Sequence, residues 1–144
     1  VAVLPVVLPA QTIDVVKLQD LVFGTLSRNE TKGVAYSSPE AGIFEIRGES
    51  RAKITIGVTV FALGDTEHQM AMTIRPSDIA YSRDGGVSWT ECKSATLSWA
   101  TQFPRTTGGV QATVLVRVGG TLITNSSQKR GGYRGIVRLK ASYM

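Results

Sequence analysis

The amino-acid sequence predicts an all-β fold of two packed antiparallel sheets, and three observations carry that prediction. Apolar residues recur at every second position over long stretches, the spacing of strands with one buried face. Those stretches are rich in Val, Ile and Thr, whose branched side chains suit a pleated surface. Glycine-containing turn signals separate them at short intervals, including Gly64-Asp65, Arg83-Asp84-Gly85-Gly86, Gly108-Gly109, Gly119-Gly120 and Gly131-Gly132. Many short strands so punctuated point to an immunoglobulin-like antiparallel β-sandwich ahead of a closed barrel.

Taken in order, the first alternation falls at Val15 to Leu21, where Val15, Leu18 and Val22 also fit a helical period. Strand is the expectation there, because Ile13, Val15 and Val16 are β-branched and Gly24 follows closely. Ile54, Ile56, Val58 and Val60 form the next clear run, followed by Met70, Met72 and Ile74, and by Ala95, Leu97 and Trp99. The Asp-Gly pair between Tyr81 and Trp89 predicts a hairpin. Ala112, Val114, Val116 and Val118 form a further strand. The last strand turns Val137, Leu139, Ala141 and Tyr143 inward and Arg138, Lys140 and Ser142 outward.

With 144 residues, the chain suits one domain with one core, burying about two-thirds of its unfolded surface. No repeat or long linker divides it, and the expected organisation is an arm at 1–10 followed by a sandwich at 11–144. An apolar content of 42% excludes a disordered chain, and no apolar run is long enough for a membrane-spanning helix. One cysteine and one histidine leave little material for a disulfide framework, a zinc site or a catalytic triad. His68 stands beside Glu67 and near Asp65 without a second His or Cys, and reads as part of a turn. Cys92 reads as a small packed apolar residue. No Gly-x-Ser-x-Gly elbow is present, and the glycine pairs are not followed by the Lys-Ser/Thr and helix of a phosphate loop. The expectation is a protein that catalyses no reaction and needs no cofactor or metal.

The net charge of +5 is uneven along the chain. Residues 1–91 hold all 11 acids and eight bases, whereas residues 92–144 hold eight bases and no acid. A sandwich interleaves its two halves, so a solvated face is the first reading, and an acidic partner surface the second. Nucleic acid is not expected, because Tyr133 is the only aromatic among Lys129, Arg130 and Arg134. Asn29-Glu30-Thr31 and Asn125-Ser126-Ser127 match glycosylation acceptors, triplets common by chance.

The most informative segment is the first. Val1, Ala2, Val3, Leu4, Pro5, Val6, Val7, Leu8 and Pro9 form an uncharged arm, apolar on both faces. Such a strand in water is an aggregation hazard, so something must cover it. Burying Ala2, Leu4, Val6 and Leu8 is worth roughly 5 to 10 kcal/mol before ordering costs. Pro5 and Pro9 cannot donate ladder hydrogen bonds, which excludes an ordinary central strand. Two locations remain open: the first strand of the chain's own sandwich, or strand addition to another copy. A start at Val1 rather than a methionine also reads as a processed end, consistent with secretion.

The other end carries a resemblance. Tyr143 is penultimate, Gly131 is fourteenth from the C-terminus, and an alternating strand joins them. This resembles the C-terminal signature of chaperone–usher pilins. The resemblance implies an incomplete sandwich, completed by the N-terminal arm of a neighbouring copy, in an extracellular bacterial filament. It implies Leu4, Val6 and Leu8 as donor plugs, with Ala2 beside them and Val1, Val3 and Val7 as the set for a register shifted by one. On the acceptor side it implies Gly131, Val137, Leu139, Ala141 and Tyr143. A periplasmic chaperone and an outer-membrane usher are the further partners it implies. The chain also resembles small secreted bacterial β-domains catalogued only as a domain of unknown function. The pieces carrying this are Leu18 to Gly24 with Leu26, Phe44 to Glu49, Val118 to Leu122, and Gly132 to Gly135. The competing function is a self-contained secreted sandwich that binds carbohydrate or a cell-surface partner, using Trp89 or Trp99.

Overall fold

The computed structural model describes residues 12–62, 71–124 and 131–144. Their strands are β1 (Asp14–Gln19), β2 (Leu21–Leu26), β3 (Thr31–Val34), β4 (Gly42–Gly48), β5 (Lys53–Ala62), β6 (Ala71–Thr73), β7 (Ile79–Ser82), β8 (Thr90–Glu91), β9 (Ser98–Gln102), β10 (Ala112–Val118), β11 (Gly120–Ile123) and β12 (Gly131–Tyr143). A single 3₁₀ turn, Pro76–Asp78, precedes β7. One sheet has the order β1-β4-β10-β7-β8, the second β2-β12-β5-β9, and a small third sheet β3-β11-β6. All described pairings are antiparallel.

The first two sheets pack face to face. Alternation decides which residues meet: Phe44 and Ile46 of β4, Ile54, Ile56 and Val58 of β5, and Val114, Val116 and Val118 of β10 form one buried cluster. A smaller cluster of Leu21, Phe23, Leu26, Val34, Ala41 and Leu122 closes one end, between β2 and the third sheet.

The chain changes sheets between β1 and β2. Gln19 of β1 pairs with Ile43 after an irregularity, and Leu21 then begins the ladder with β12. The crossing is held by the Gln19 side chain, whose Nε2 donates to Pro39 O at 2.5 Å and to Ala41 O at 2.7 Å, and by Val22 N–H donating to Glu40 O at 3.0 Å. Gln19→Ala frees two carbonyls at this crossing and is expected to cost about 1 to 3 kcal/mol in urea unfolding. In β2 itself, Gly24 takes a φ of 79°, opposite the irregularity at Tyr133 and Arg134 of β12, a bulge at which a side chain is strained.

Several expectations are corrected. Gly131-Gly132 is not a turn but the start of β12, the longest strand. Gly119-Gly120 is a sheet-to-sheet crossing, where β10 passes into β11 close against the backbone of Val34. The run Ala95-Leu97-Trp99 is only partly strand: Ala95 lies in a turn and Leu97 has a φ of 56°, so β9 begins at Ser98. Strand rather than helix holds at Val15 to Leu21, and β7 and β8 form the hairpin expected around Asp84-Gly85. Among the described residues, strands of the basic second half of the chain lie between strands of the first. β10, with Arg117, lies between β4 and β7, and β12 lies between β2 and β5. The turn Gly64-Asp65, His68, Glu67 and Met70 fall outside the described residues.

Candidate functional site

The two large sheets are not closed equally on all sides. β12 has two partners, and they occupy different halves of it: β2 pairs with Gly131–Gly135, and β5 pairs with Gly135–Tyr143. Beyond Gly135, no strand among the described residues continues the ladder of β2. In the facing sheet the outermost strand on this side is β1. Among the described residues, therefore, no strand lies between β1 and the second half of β12.

Burial follows that opening. On β5, the inward Ile54 and Ile56 are 0% exposed and Val58 is 7% exposed. Their direct partners on β12, Tyr143, Ala141 and Leu139, pack on the same cluster but are only half-buried, as is Val137. Val15 lies opposite the fully buried Ile46 and so shares its inward face, yet it is 37% exposed. Ile13, half-buried, packs against the same core. Inward-facing apolar side chains along this side are thus only partly buried, as are Tyr81, Leu97 and Trp99 on the other.

The backbone polarity of the open half can be followed from its neighbours. Val58 N–H donates to Leu97 O at 3.0 Å, away from β12, and Met144 N–H donates to Lys53 O at 3.0 Å, toward β5. In an antiparallel ladder these directions alternate strictly. The even-numbered residues of β12 therefore serve β5, while Val137, Leu139 and Ala141 turn their N–H and C=O groups to the open edge.

Tyr143 pins the far end. Its hydroxyl accepts the Glu49 N–H at 3.0 Å, across the sandwich from the neighbour of Gly48. Gly48 leaves room for this: a Cβ there would lie 2.5 Å from the Phe103 ring and 2.9 Å from the Tyr143 hydroxyl. Since Asp14 pairs with Arg47, the start of β1 sits at the Tyr143 end of β12. Sequence reasoning did not find Val15, Ile13 or Gly48 as parts of this site. The signal for Gly48 was its place at the end of an alternating run.

Of the acceptor residues expected from sequence, Val137, Leu139, Ala141 and Tyr143 come together on the open half. Gly131 does not join them; it pairs with Leu26 under the ladder of β2. The arm residues Val1, Ala2, Val3, Leu4, Val6, Val7 and Leu8 lie outside the described residues.

The remaining candidates are engaged locally. Cys92 is a free thiol buried in the main core. The described residues contain no group of three His, Cys, Asp or Glu side chains able to hold a metal ion, and no helix long and apolar enough to cross a membrane. Trp89 donates from Nε1 to Gly86 O at 3.1 Å and carries the Arg117 guanidinium 5.5 Å above its ring. Trp99 packs on the core and stacks on Tyr81, with centroids 5.5 Å apart. Asp84 organises the hairpin: its carboxylate accepts from Ser88 Oγ at 2.5 Å, Ser88 N–H at 2.9 Å and Ser82 Oγ at 2.7 Å. The two bonds from Ser88 and then that from Ser82 hold its pKa well below the usual carboxylate range. A depressed carboxylate favours the folded hairpin above pH about 4, the ordinary Asp value, and loses that support as the pH falls further. Asp84→Asn is accordingly expected to flatten the acid limb of the stability curve below pH about 4 and to leave its shape at neutral pH unchanged.

The described residues form an antiparallel β-sandwich in which the second half of β12 has a ladder partner on one side only. The chain belongs to the family described as a domain of unknown function (DUF4402), whose model matches residues 13–143. Comparison with curated proteins and with solved structures finds no match in either.

Proposed function

We propose that this protein is a structural subunit of an extracellular bacterial filament, a pilin, polymerised when the apolar arm of one copy fills the open flank of the next. The open side between β1 and the second half of β12 carries this reading. A strand edge at Val137, Leu139 and Ala141 with no ladder partner among the described residues, beside half-buried core side chains, is what an added strand satisfies, with ladder bonds and apolar plugs together.

Three further features support it. The order β1-β4-β10-β7 opposite β12-β5 follows that of strands A-B-E-D opposite F-C of an immunoglobulin sandwich, and strand G, the other neighbour of F in that fold, has no counterpart along the second half of β12 among the described residues. The arm is apolar on both faces, and its burial is worth roughly 5 to 10 kcal/mol before ordering costs. β1 begins at the Tyr143 end of β12, so the chain enters the sandwich at that end. The resulting contact is head to tail, and such contacts build open filaments unless a ring closes. A periplasmic chaperone that occupies the flank before assembly and an outer-membrane usher are the accessory partners of this reading, and the bacterial surface is its location.

Sedimentation velocity of the whole chain and of a chain lacking residues 1–9 tests it. A ladder of oligomers or filaments is expected from the first and a single small species from the second. Equal assembly of the two contradicts the proposal.

A further inference from the structure

The two large sheets differ in charge, and the order of residues along the chain hides it. The first sheet sets the acids Asp14, Glu45 and Glu91 against the bases Lys17, Arg47 and Arg117. Most of these charges are engaged: Arg47 Nε donates to Glu45 Oε1 at 2.8 Å, Lys17 Nζ lies 2.7 Å from Asp20, and Arg117 rests over the Trp89 ring. The four strands of the second sheet contain the bases Lys53, Arg134, Arg138 and Lys140 and no Asp or Glu.

Strand parity turns this charge to the outer face. Ile54, Ile56 and Val58 of β5 are buried, so Lys53, Thr55, Gly57 and Thr59 point away from the core. On β12, Arg138 stands opposite Thr59, Lys140 opposite Gly57 and Ser142 opposite Thr55; on β9, Gln102 stands opposite Lys53 and Ser98 opposite Gly57. Residues directly opposed in an antiparallel pair share a face, so all of these lie on one surface. Lys53, Arg138 and Lys140 are exposed, and neither Lys53 nor Lys140 makes an ion pair among the described residues. Like charges gathered on one face repel one another, and an anion laid across them relieves that repulsion.

Spacing and lining select the kind of anion. Arg138 and Lys140 are two residues apart on β12, about 7 Å, and Thr59, opposite Arg138, is six residues from Lys53 on β5, about 20 Å. A small isolated ion meets one of these cations, whereas a chain that carries its charges at intervals meets all three. Between the cations lie Thr55, Thr59, Ser98 and Ser142, whose hydroxyls both donate and accept hydrogen bonds, a lining that suits a ligand rich in hydroxyls. These outward residues offer no aromatic ring for a nucleobase to stack on and no large apolar side chain to enter a bilayer.

We infer that the outer face of the β2-β12-β5-β9 sheet binds an extended acidic polysaccharide, with its carboxylate or sulfate groups on Lys53, Arg138 and Lys140 and its hydroxyls on the Thr and Ser side chains between them. The inference does not depend on the arm-exchange reading, which concerns the edge of β12 and not its outer face.

The test measures binding of the whole chain to polygalacturonate, dextran sulfate and neutral dextran by isothermal titration calorimetry. Both acidic polymers are expected to bind and to weaken severalfold as salt rises from about 50 to about 200 mM, and neutral dextran is expected not to bind. Lys53→Ser with Lys140→Ser should weaken binding by about tenfold or more. Lys93→Ser with Arg105→Ser removes the same net charge from exposed positions off this face and should leave binding within about threefold. Gly57→Glu sets a carboxylate beside Lys140, and the nearest atom to a Cβ there is Ser98 Oγ at 3.9 Å, so the fold accommodates it. This variant is expected to weaken binding as the lysine pair does while its urea midpoint stays close to that of the parent chain. Absence of binding to both acidic polymers, or equal losses from the two double variants, overturns the inference. So does equal or tighter binding to single-stranded DNA or to phosphatidylglycerol vesicles, either of which would assign the face to another class of polyanion.

Discussion

Placing a charge in the arm, as Leu4→Asp with Leu8→Asp, is expected to abolish assembly while the chain still folds as a sandwich. Both positions are donor plugs in the arm-exchange reading, so each aspartate would sit against the half-buried apolar side chains of β12 and the main core without a partner. Burying an unpaired carboxylate costs several kcal/mol, about 3 or more per site, beyond the apolar contact it replaces. Oligomer formation should fall by at least about a hundredfold at a given concentration. The outward pair Val3→Asp and Val7→Asp is the internal comparison, and about tenfold or less is expected from it. Circular dichroism of the two variants separates lost assembly from lost folding, because neither substitution touches the residues of β1 to β12.

The second large effect concerns the fold. Gly119 lies where β10 crosses into the third sheet, and its N–H donates to Asp78 O at 2.8 Å. A Cβ at this position would stand 2.0 Å from Val34 O, 2.9 Å from Ala35 C and 3.0 Å from Tyr36 N. All three are backbone atoms, so no rotamer change relieves the clash, and the crossing itself must move. Gly119→Ala is expected to cost about 3 kcal/mol or more, measured by urea unfolding. Gly33→Ala provides the contrast, since the nearest atom to its Cβ is Thr121 Oγ1 at 3.9 Å. That substitution should change stability by about 1 kcal/mol or less.

What the sequence made legible, and what it did not, follows from the range of the interactions. β10 and β12 were visible because strict alternation over seven or more residues reports one buried face, a local property. The inward set Val137, Leu139, Ala141 and Tyr143 followed from the same alternation. The third sheet was not visible, because β3, β6 and β11 are three or four residues long and too short to show a period. Gly119 and Gly131 both read as turn residues. In the fold Gly119 answers a close backbone approach from Val34, 85 positions earlier, and Gly131 starts a strand. The division of β12 between two partners depends on where β2 begins after the chain changes sheets at Gln19. That is a long-range register, and no local pattern encodes it.

The arm and the open flank can be joined across a chain boundary or within one chain, and one measurement distinguishes these most directly. Whole chains carrying Leu4→Cys and Ala141→Cys are prepared in ordinary and ¹⁵N-labelled form, mixed in denaturant, refolded together and oxidised, and the cross-linked peptides are weighed. Arm exchange between copies predicts that about half of the cross-links join one light and one heavy peptide. Cross-links only between peptides of like isotope would mean that each arm folds onto its own sandwich, and the filament reading would be lost.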